Sequence, residues 1–279
     1  MTLHNVKDVL IGFTEDSEAS SAALGYGLSL ARQSGAHATA LSASVKLALT
    51  HAFVSEIAAG LVAAENRRVL ALAEAAAERA RQQAMTEGVP CTFETVQLRY
   101  AELVEKFASL CRIHDLAVVD ADPDFLTIDR TLIEQALFSS GRPVIVVPRG
   151  VDEFKAERIV VAWDGSAKAA RALNDALPFL RHARAVDIVC VSGEKDLSQS
   201  VPGAEIAPHL ARHGVQATVT DLPAENGDAA QTLRSHATLF RADMIVMGAY
   251  VHSRLRQMVL GGVTQSLLRS SPIPLFLSY

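Results

Sequence analysis

The 279-residue chain is 49% hydrophobic, 20% charged and 5% aromatic, with a formal net charge of −5 and a pI near 6.0. That apolar content excludes an intrinsically disordered chain, which buries too little surface to offset its ordering entropy. The acidic balance excludes a protein that coats nucleic acid, because neutralising phosphates takes a concentrated basic face.

The length suits two units of ordinary size, each with a core of its own. Membrane crossing is not expected: the most helical stretch, Leu61 to Gly88, is Ala-rich but interrupted by Glu65, Arg67, Arg68, Glu74, Glu78, Arg79 and Arg81. The opening residues MTLHNVKDVL run into a strand without the regions of a secretion signal. Cys91, Cys111 and Cys190 are far apart and outside any C-x-x-C pairing. They read as small buried apolar groups in a reducing compartment, and the expected location is the cytoplasm.

Taken in chain order, strands are expected near residues 7–14, 37–45, 91–98, 115–121 and 143–148, with helices near 17–34, 60–88, 101–112 and 129–140. Arg149 to Ala156 (RGVDEFKA) is polar and aperiodic and reads as a linker, and Glu153 to Arg158 as a solvated charge run. The pattern then recurs, with strands near 157–163, 185–191, 215–221, 242–248 and 273–278 and helices near 167–181, 204–213, 227–240 and 262–270. The short apolar runs are those of strands buried on both faces, and the first helix of each set has an Asp/Ser cap, Asp16 or Ser17 in one and Ser166 in the other. Parallel strands need right-handed crossovers. The expected fold class is therefore α/β: two tandem doubly wound domains, residues 1–148 and 157–279, each a five-stranded open parallel sheet with helices on both faces.

Three landmarks repeat in order. Asp8 to Thr14 parallels Arg158 to Asp164, Asp115 to Ala121 parallels Asp243 to Ala249, and Ser139-Ser140 before Pro143 parallels Ser270-Ser271 before Pro274. Such ordered self-similarity indicates an internal duplication.

In open α/β sheets ligands bind beyond the carboxyl ends of the strands. In the second half these ends carry Asp164-Gly165-Ser166, Val191-Ser192-Gly193 and the stretch from Met247-Gly248 to Gly261-Gly262-Val263-Thr264. Glycines there leave room for a phosphate and offer unhindered N–H donors at a helix N-terminus, although a glycine pair before a helix is also an ordinary turn. His252, Ser253 and Arg254 read equally as phosphate partners and as a solvated loop tip. Trp163 reads as packing. His209 and His213, spaced i, i+4 without a third ligand in sight, read as exposed helix residues.

These strand-end residues resemble the universal stress proteins, strongly over residues 157–279 and more weakly over 1–148. The resemblance implies an adenine nucleotide alpha hydrolase-like fold and, in nucleotide-binding members, G-x2-G-x9-G-[S/T]. Gly248 matches the first glycine and Gly261 the third, whereas Val251 stands at the second and Gly262 at the Ser/Thr place. The ligand so implied is ATP, or ADP or AMP, with Mg2+. Asp164 and Gly165 would lie against the adenosine, Val191 against the base, and Met247, Gly248, Val251, His252, Gly261, Gly262, Val263 and Thr264 around ribose and phosphates. The resemblance also implies a homodimer, and an edge-to-edge pairing of Val144–Val147 with Leu275–Leu277.

The equivalent stretch of the first half, Asp120-Ala121-Asp122-Pro123-Asp124 to Arg130-Thr131, has no glycine. Two unit charges at ~5 Å and an effective dielectric of about 20 repel by ~3 kcal/mol, so carboxylates there oppose a polyphosphate. No nucleotide is expected in the first half by this mode. Asp120-x-Asp122-x-Asp124 lacks the glycine and glutamate of a calcium loop and reads as acids capping the following helix. No nucleophile elbow, P-loop or zinc-protease motif is present. Three functions follow: a stress-response regulatory protein binding ATP or a related nucleotide in its C-terminal half and acting through an unknown protein partner, at most with slow ATPase action at Asp164; a nucleotide-free tandem scaffold for protein–protein interaction; and, least supported, another enzyme using the same cleft.

Overall fold

The computed structural model describes residues 5–14, 21–48, 56–121, 128–192, 203–249, 251–254 and 257–279. The first half contains β1 (Asp8–Thr14), α1 (Ala22–Ser34), β2 (His37–Val45), α2 (Glu56–Glu87), β3 (Cys91–Leu98), α3 (Tyr100–Arg112), β4 (Leu116–Asp120), α4 (Ile128–Ser139) and β5 (Val144–Val147). The second contains β6 (Arg158–Ala162), α5 (Ala167–Asp175), α6 (Leu177–Leu180), β7 (Ala185–Ser192), α7 (Gly203–Arg212), β8 (Ala217–Pro223), α8 (Ala229–Phe240), β9 (Met244–Gly248), β10 (Val251–Arg254), β11 (Gln257–Leu260), α9 (Gly262–Ser270) and β12 (Leu275–Ser278).

Local chemistry sets the boundaries. Ser21 caps α1 by accepting from the Leu24 N–H, and Gly35 ends that helix in the left-handed region. Ser21, rather than Asp16 or Ser17, is thus the cap; those two lie outside the described residues. The single helix expected over 167–181 is two helices. α5 stops at Asp175, and Pro178, which has no N–H to donate, sits in the first turn of α6 where none is needed. In α2 the buried residues are Ala73, Ala76, Ala77, Ala80 and Ala84, a stripe of small side chains that lets the helix lie close on β2 and β3.

The strands form one sheet of ten, ordered β3-β2-β1-β4-β5-β12-β9-β6-β7-β8. Each half contributes five mutually parallel strands, as expected, but the sheets are not separate. β12 pairs antiparallel with β5, with Leu275 opposite Val146, Phe276 opposite Ile145 and Leu277 opposite Val144. This is the edge-to-edge join implied by the resemblance, and it leaves neither central edge open. It also turns one half about relative to the other, so the carboxyl ends of β1 and β4 lie on one edge of the sheet and those of β6 and β9 on the opposite edge.

The hydrophobic cores follow the faces of the sheet rather than the halves. One lies under α1, α2, α5, α6 and α7, with Ile145, Val147 and Phe276 at the seam. The other lies under α3, α4, α8 and α9, with Val144, Val146, Leu275 and Leu277 at the seam. The connection between the halves keeps Glu153, Lys155 and Glu157 exposed, as expected of a charged run, but Phe154 within it is buried. Phe154 is 4% exposed, packs at 5.5 Å on Tyr26 of α1 and 5.9 Å on Phe179 of α6, and its carbonyl accepts from Gln33 Nε2. Arg158 donates from Nε to the Phe240 carbonyl and lies over that ring.

Buried Asp187 of β7 is satisfied by Thr218 and Thr220 of β8 and by His236 of α8, at 2.7–3.1 Å. Among the described residues no helix is long and apolar enough to cross a membrane.

Phe154→Ala removes a ring shared by both halves and is expected to cost about 3 kcal/mol. Urea unfolding should show a lower midpoint; a midpoint equal to the parent's would mean that the connection is a passive tether.

Candidate functional site

The edge where β6, β7 and β9 end gathers most of the residues singled out in the sequence. Beyond β6, Trp163 is buried and continues the ladder by donating to the Val189 carbonyl. Asp164 follows, half-exposed, its Oδ1 accepting from the Ser166 N–H at 3.0 Å. Gly165 between them has φ +70°, a conformation that a side chain disfavours, so a glycine here lets the chain turn straight from strand into helix. Ser166 then caps α5 by accepting from the Ala169 N–H, as its sequence position suggested.

Val191 near the end of β7 is half-buried against the core, and Met247 on β9 is fully in it. Gly248 is required by packing as well as marked by its motif position. A Cβ at Gly248 would stand 2.6 Å from both the Ala169 nitrogen and the Lys168 carbonyl carbon. The glycine therefore admits the first turn of α5. Lys168 of that turn lies 4.2 Å over the Tyr279 ring beyond β12.

The stretch after Gly248 is a two-stranded ribbon rather than a loop. Val251 and His252 fall in β10, opposite Leu260 and Val259 of β11. An extended strand suits a β-branched residue such as Val251. Arg256 lies outside the described residues.

The ribbon delivers the chain to α9, whose start differs from those of α1, α5 and α8. Gly261 is its cap residue and supplies no side-chain hydrogen bond, whereas Ser21, Ser166 and Asp228 cap theirs. Gly262 is exposed, with nothing within 4 Å of the position a Cβ would take. Gly261 is itself buried, and the open position beside Gly262 lies at the positive end of the helix dipole, where an anion is favoured. Val263 is half-buried against the core, and Thr264 is only 1% exposed, so its side chain belongs to the packed side of the helix.

The first half fills the corresponding places with its own charges. Asp120, at the position of Gly248, accepts from Ser21 Oγ at 2.6 Å and the Ala23 N–H at 2.8 Å, so it clamps the start of α1 rather than the helix that follows it. Burial raises its pKa, against hydrogen bonds from Ser21, Ala23 and Ala22 and the charge of Arg149, which lower it. Arg130, at the position of Gly261, is 4% exposed and bonded to Glu134 at 3.0 Å, and Thr131 is bonded to the Tyr100 hydroxyl at 2.6 Å. Asp122 and Asp124 lie outside the described residues.

Among the described residues no group of three or more His, Cys, Asp and Glu is placed to hold a metal. The rings of His209 and His213 pack edge-on at 4.6 Å, with Arg181 bonded to His213. The cysteines are unpaired, Cys111 and Cys190 buried and Cys91 partly so, and burial pushes their pKa values up to about 11 for Cys91 and Cys190 and about 12 for Cys111.

Residues 155–278 match the sequence model of the Universal stress protein family. The stress response protein NhaX of Bacillus subtilis (strain 168) is 25% identical over 163 residues, taking in 44% of this chain and 98% of that one. A universal stress protein from Archaeoglobus fulgidus DSM 4304 has a similar structure across 98% of both chains, with a TM-score of 0.68 at 17% identity. A protein of unknown function from Pseudomonas aeruginosa PAO1 is similar over 99% of this chain and 93% of its own, with a TM-score of 0.56 at 13% identity. The structural likenesses are likenesses of fold.

Asp120→Ala strips the clamp from α1 and is expected to cost about 1–3 kcal/mol, whereas Asp120→Asn keeps the acceptor for Ala23 and should cost less than about 1 kcal/mol at pH 7. Because the folded pKa of Asp120 lies above the unfolded one, its contribution to stability grows as pH falls through the folded value and is lost as pH rises. Asp120→Asn should remove that part of the pH dependence in urea titrations at pH 5 and pH 7; an unchanged profile would place the titration elsewhere.

Proposed function

Because residues 155–278 match the sequence model of the Universal stress protein family, we propose that the chain is a stress-response regulatory protein whose C-terminal half binds an adenine nucleotide. The ligand is ATP, or ADP or AMP, with Mg2+ accompanying the polyphosphate. The observation that supports this reading is the start of α9, where the cap residue Gly261 supplies no side-chain hydrogen bond and the position beside Gly262 is open. These residues fit a phosphate: main-chain donors need no reorganisation, and the helix dipole adds to their attraction. In this reading Asp164 lies against the nucleoside and the β10–β11 ribbon, with Val251 and His252, borders the phosphates.

The function is binding rather than turnover, with occupancy setting conformation or partner choice. The N-terminal half acts as scaffold, because the internal anion Asp120 and the buried guanidinium of Arg130 already stand at the matching positions. Self-association into a homodimer and a cytoplasmic location belong to the same proposal. A nucleotide-free scaffold is the second reading, favoured by the commitment of Gly248 to packing under α5.

Protein purified without added nucleotide, denatured and analysed by mass spectrometry, is expected to release adenine nucleotide, or else to bind added ATP with one site per chain. Neither release nor binding would leave the scaffold reading. Gly262→Asp places a carboxylate at the open start of α9 without a steric clash. Repulsion of about 3 kcal/mol at ~5 Å predicts roughly a hundredfold loss of ATP affinity in calorimetry, with the thermal midpoint of the nucleotide-free protein little changed. Unaltered affinity would remove α9 from the site.

A further inference from the structure

On the edge of the sheet opposite the candidate nucleotide site, the connection between the halves borders an open pocket of about 240 Å³ against α1 and the starts of β9 and β12. Its lining includes Tyr26, Asp152, Glu153, Lys155, Asp243 and Pro274. Tyr26 is 1% exposed, and its hydroxyl is buried without a hydrogen-bond partner. A buried hydroxyl left unpaired is costly, and most such groups in folded proteins find a partner. Tyr26 cannot swing away to find one, because its ring is fixed edge-on against Phe154 at 5.5 Å. Burial, and after it the Asp243 carboxylate, raise its pKa strongly, so it presents a neutral phenol oxygen able to accept.

The charges around the phenol do not balance. Three carboxylates, Asp152, Glu153 and Asp243, meet one ammonium, Lys155. Lys155 pairs with Glu153 at 2.9 Å. Asp243 Oδ2 takes the main-chain N–H groups of Glu157 and Arg158 at 2.9 and 2.8 Å and shares the charge of Lys155 with Glu153, so the carboxylates still outnumber the cation. The pocket therefore favours a positively charged guest that donates hydrogen bonds. It exceeds one ion in size, since a water occupies about 30 Å³. The carboxylates do not converge as a metal cluster among the described residues.

We propose that this pocket binds a small organic cation of the alkylammonium class, whose N–H groups are accepted by the Tyr26 hydroxyl and by the carboxylates of Asp152 and Asp243. The site is independent of nucleotide binding, and Phe154, beside Tyr26 and in contact with both halves, ties its occupancy to the packing of the connection.

The probe is 1,4-diaminobutane, titrated into the full chain by calorimetry at low ionic strength in an amine-free buffer. Saturable binding is expected. Tyr26→Phe should weaken it about fivefold, the loss of one hydrogen bond, and Asp152→Asn at least as much. Tyr26→Phe also removes the unpartnered hydroxyl, so it should raise the thermal midpoint of the amine-free protein, with the advantage shrinking as diamine saturates the parent. No saturation at millimolar diamine, as for a pocket that holds only water, would overturn the proposal. Equal affinity in the parent and Tyr26→Phe would overturn it as well.

Discussion

The antiparallel contact of β5 with β12 governs the architecture. Four residues from each strand are buried there, and their alternate side chains enter the two cores on opposite faces of the sheet. Without this contact each half would expose an apolar strand edge ready to pair with another chain. With it, ten strands share one twisted sheet, and each core is continuous from one half to the other. The same reversal of direction sends the carboxyl ends of the two sets of strands to opposite edges, so the halves cannot jointly grip one ligand as two jaws.

What the halves do with their helix starts differs accordingly. A helix N-terminus carries unsatisfied N–H groups and partial positive charge, and something must meet them. In the first half the protein meets them itself, with Asp120 reaching from the end of β4 to the start of α1. In the second half Gly248 offers no side chain, Ser166 caps α5, and Gly261 gives α9 no side-chain cap. The halves thus differ at a few residues in an otherwise shared frame.

Much of that frame was legible in the sequence, because strands buried on both faces leave short unbroken apolar runs. The strands expected at 37–45 and 91–98 coincide with β2 and β3, and the helix expected at 262–270 with α9. Pro178 was passed over because apolar spacing continues through it, although its ring cannot supply an interior N–H. Phe154 hid inside a charged run, and its burial depends on Tyr26 and Phe179, both distant in the chain. Of the site, the turn at Gly165 and the cap at Ser166 follow local rules and were readable. The role of Asp120 was not, since its partner Ala23 lies 97 residues away and no local spacing encodes that contact. Gly248 was rightly marked as special, but the approach of α5 that also requires it is something periodicity cannot show. The β10–β11 ribbon, four residues a side, is too short for alternation to separate it from a loop.

The central claim is that, of the two halves, the second alone takes an anionic nucleotide at its strand ends. Amide hydrogen exchange of the full chain, with and without saturating ATP and Mg2+, tests it most directly. The account predicts slowed exchange in the first turn of α9, at Gly262 to Thr264, and no change at the start of α1 around Ala22 to Leu24. Protection at the start of α1, or at both helices equally, would contradict it.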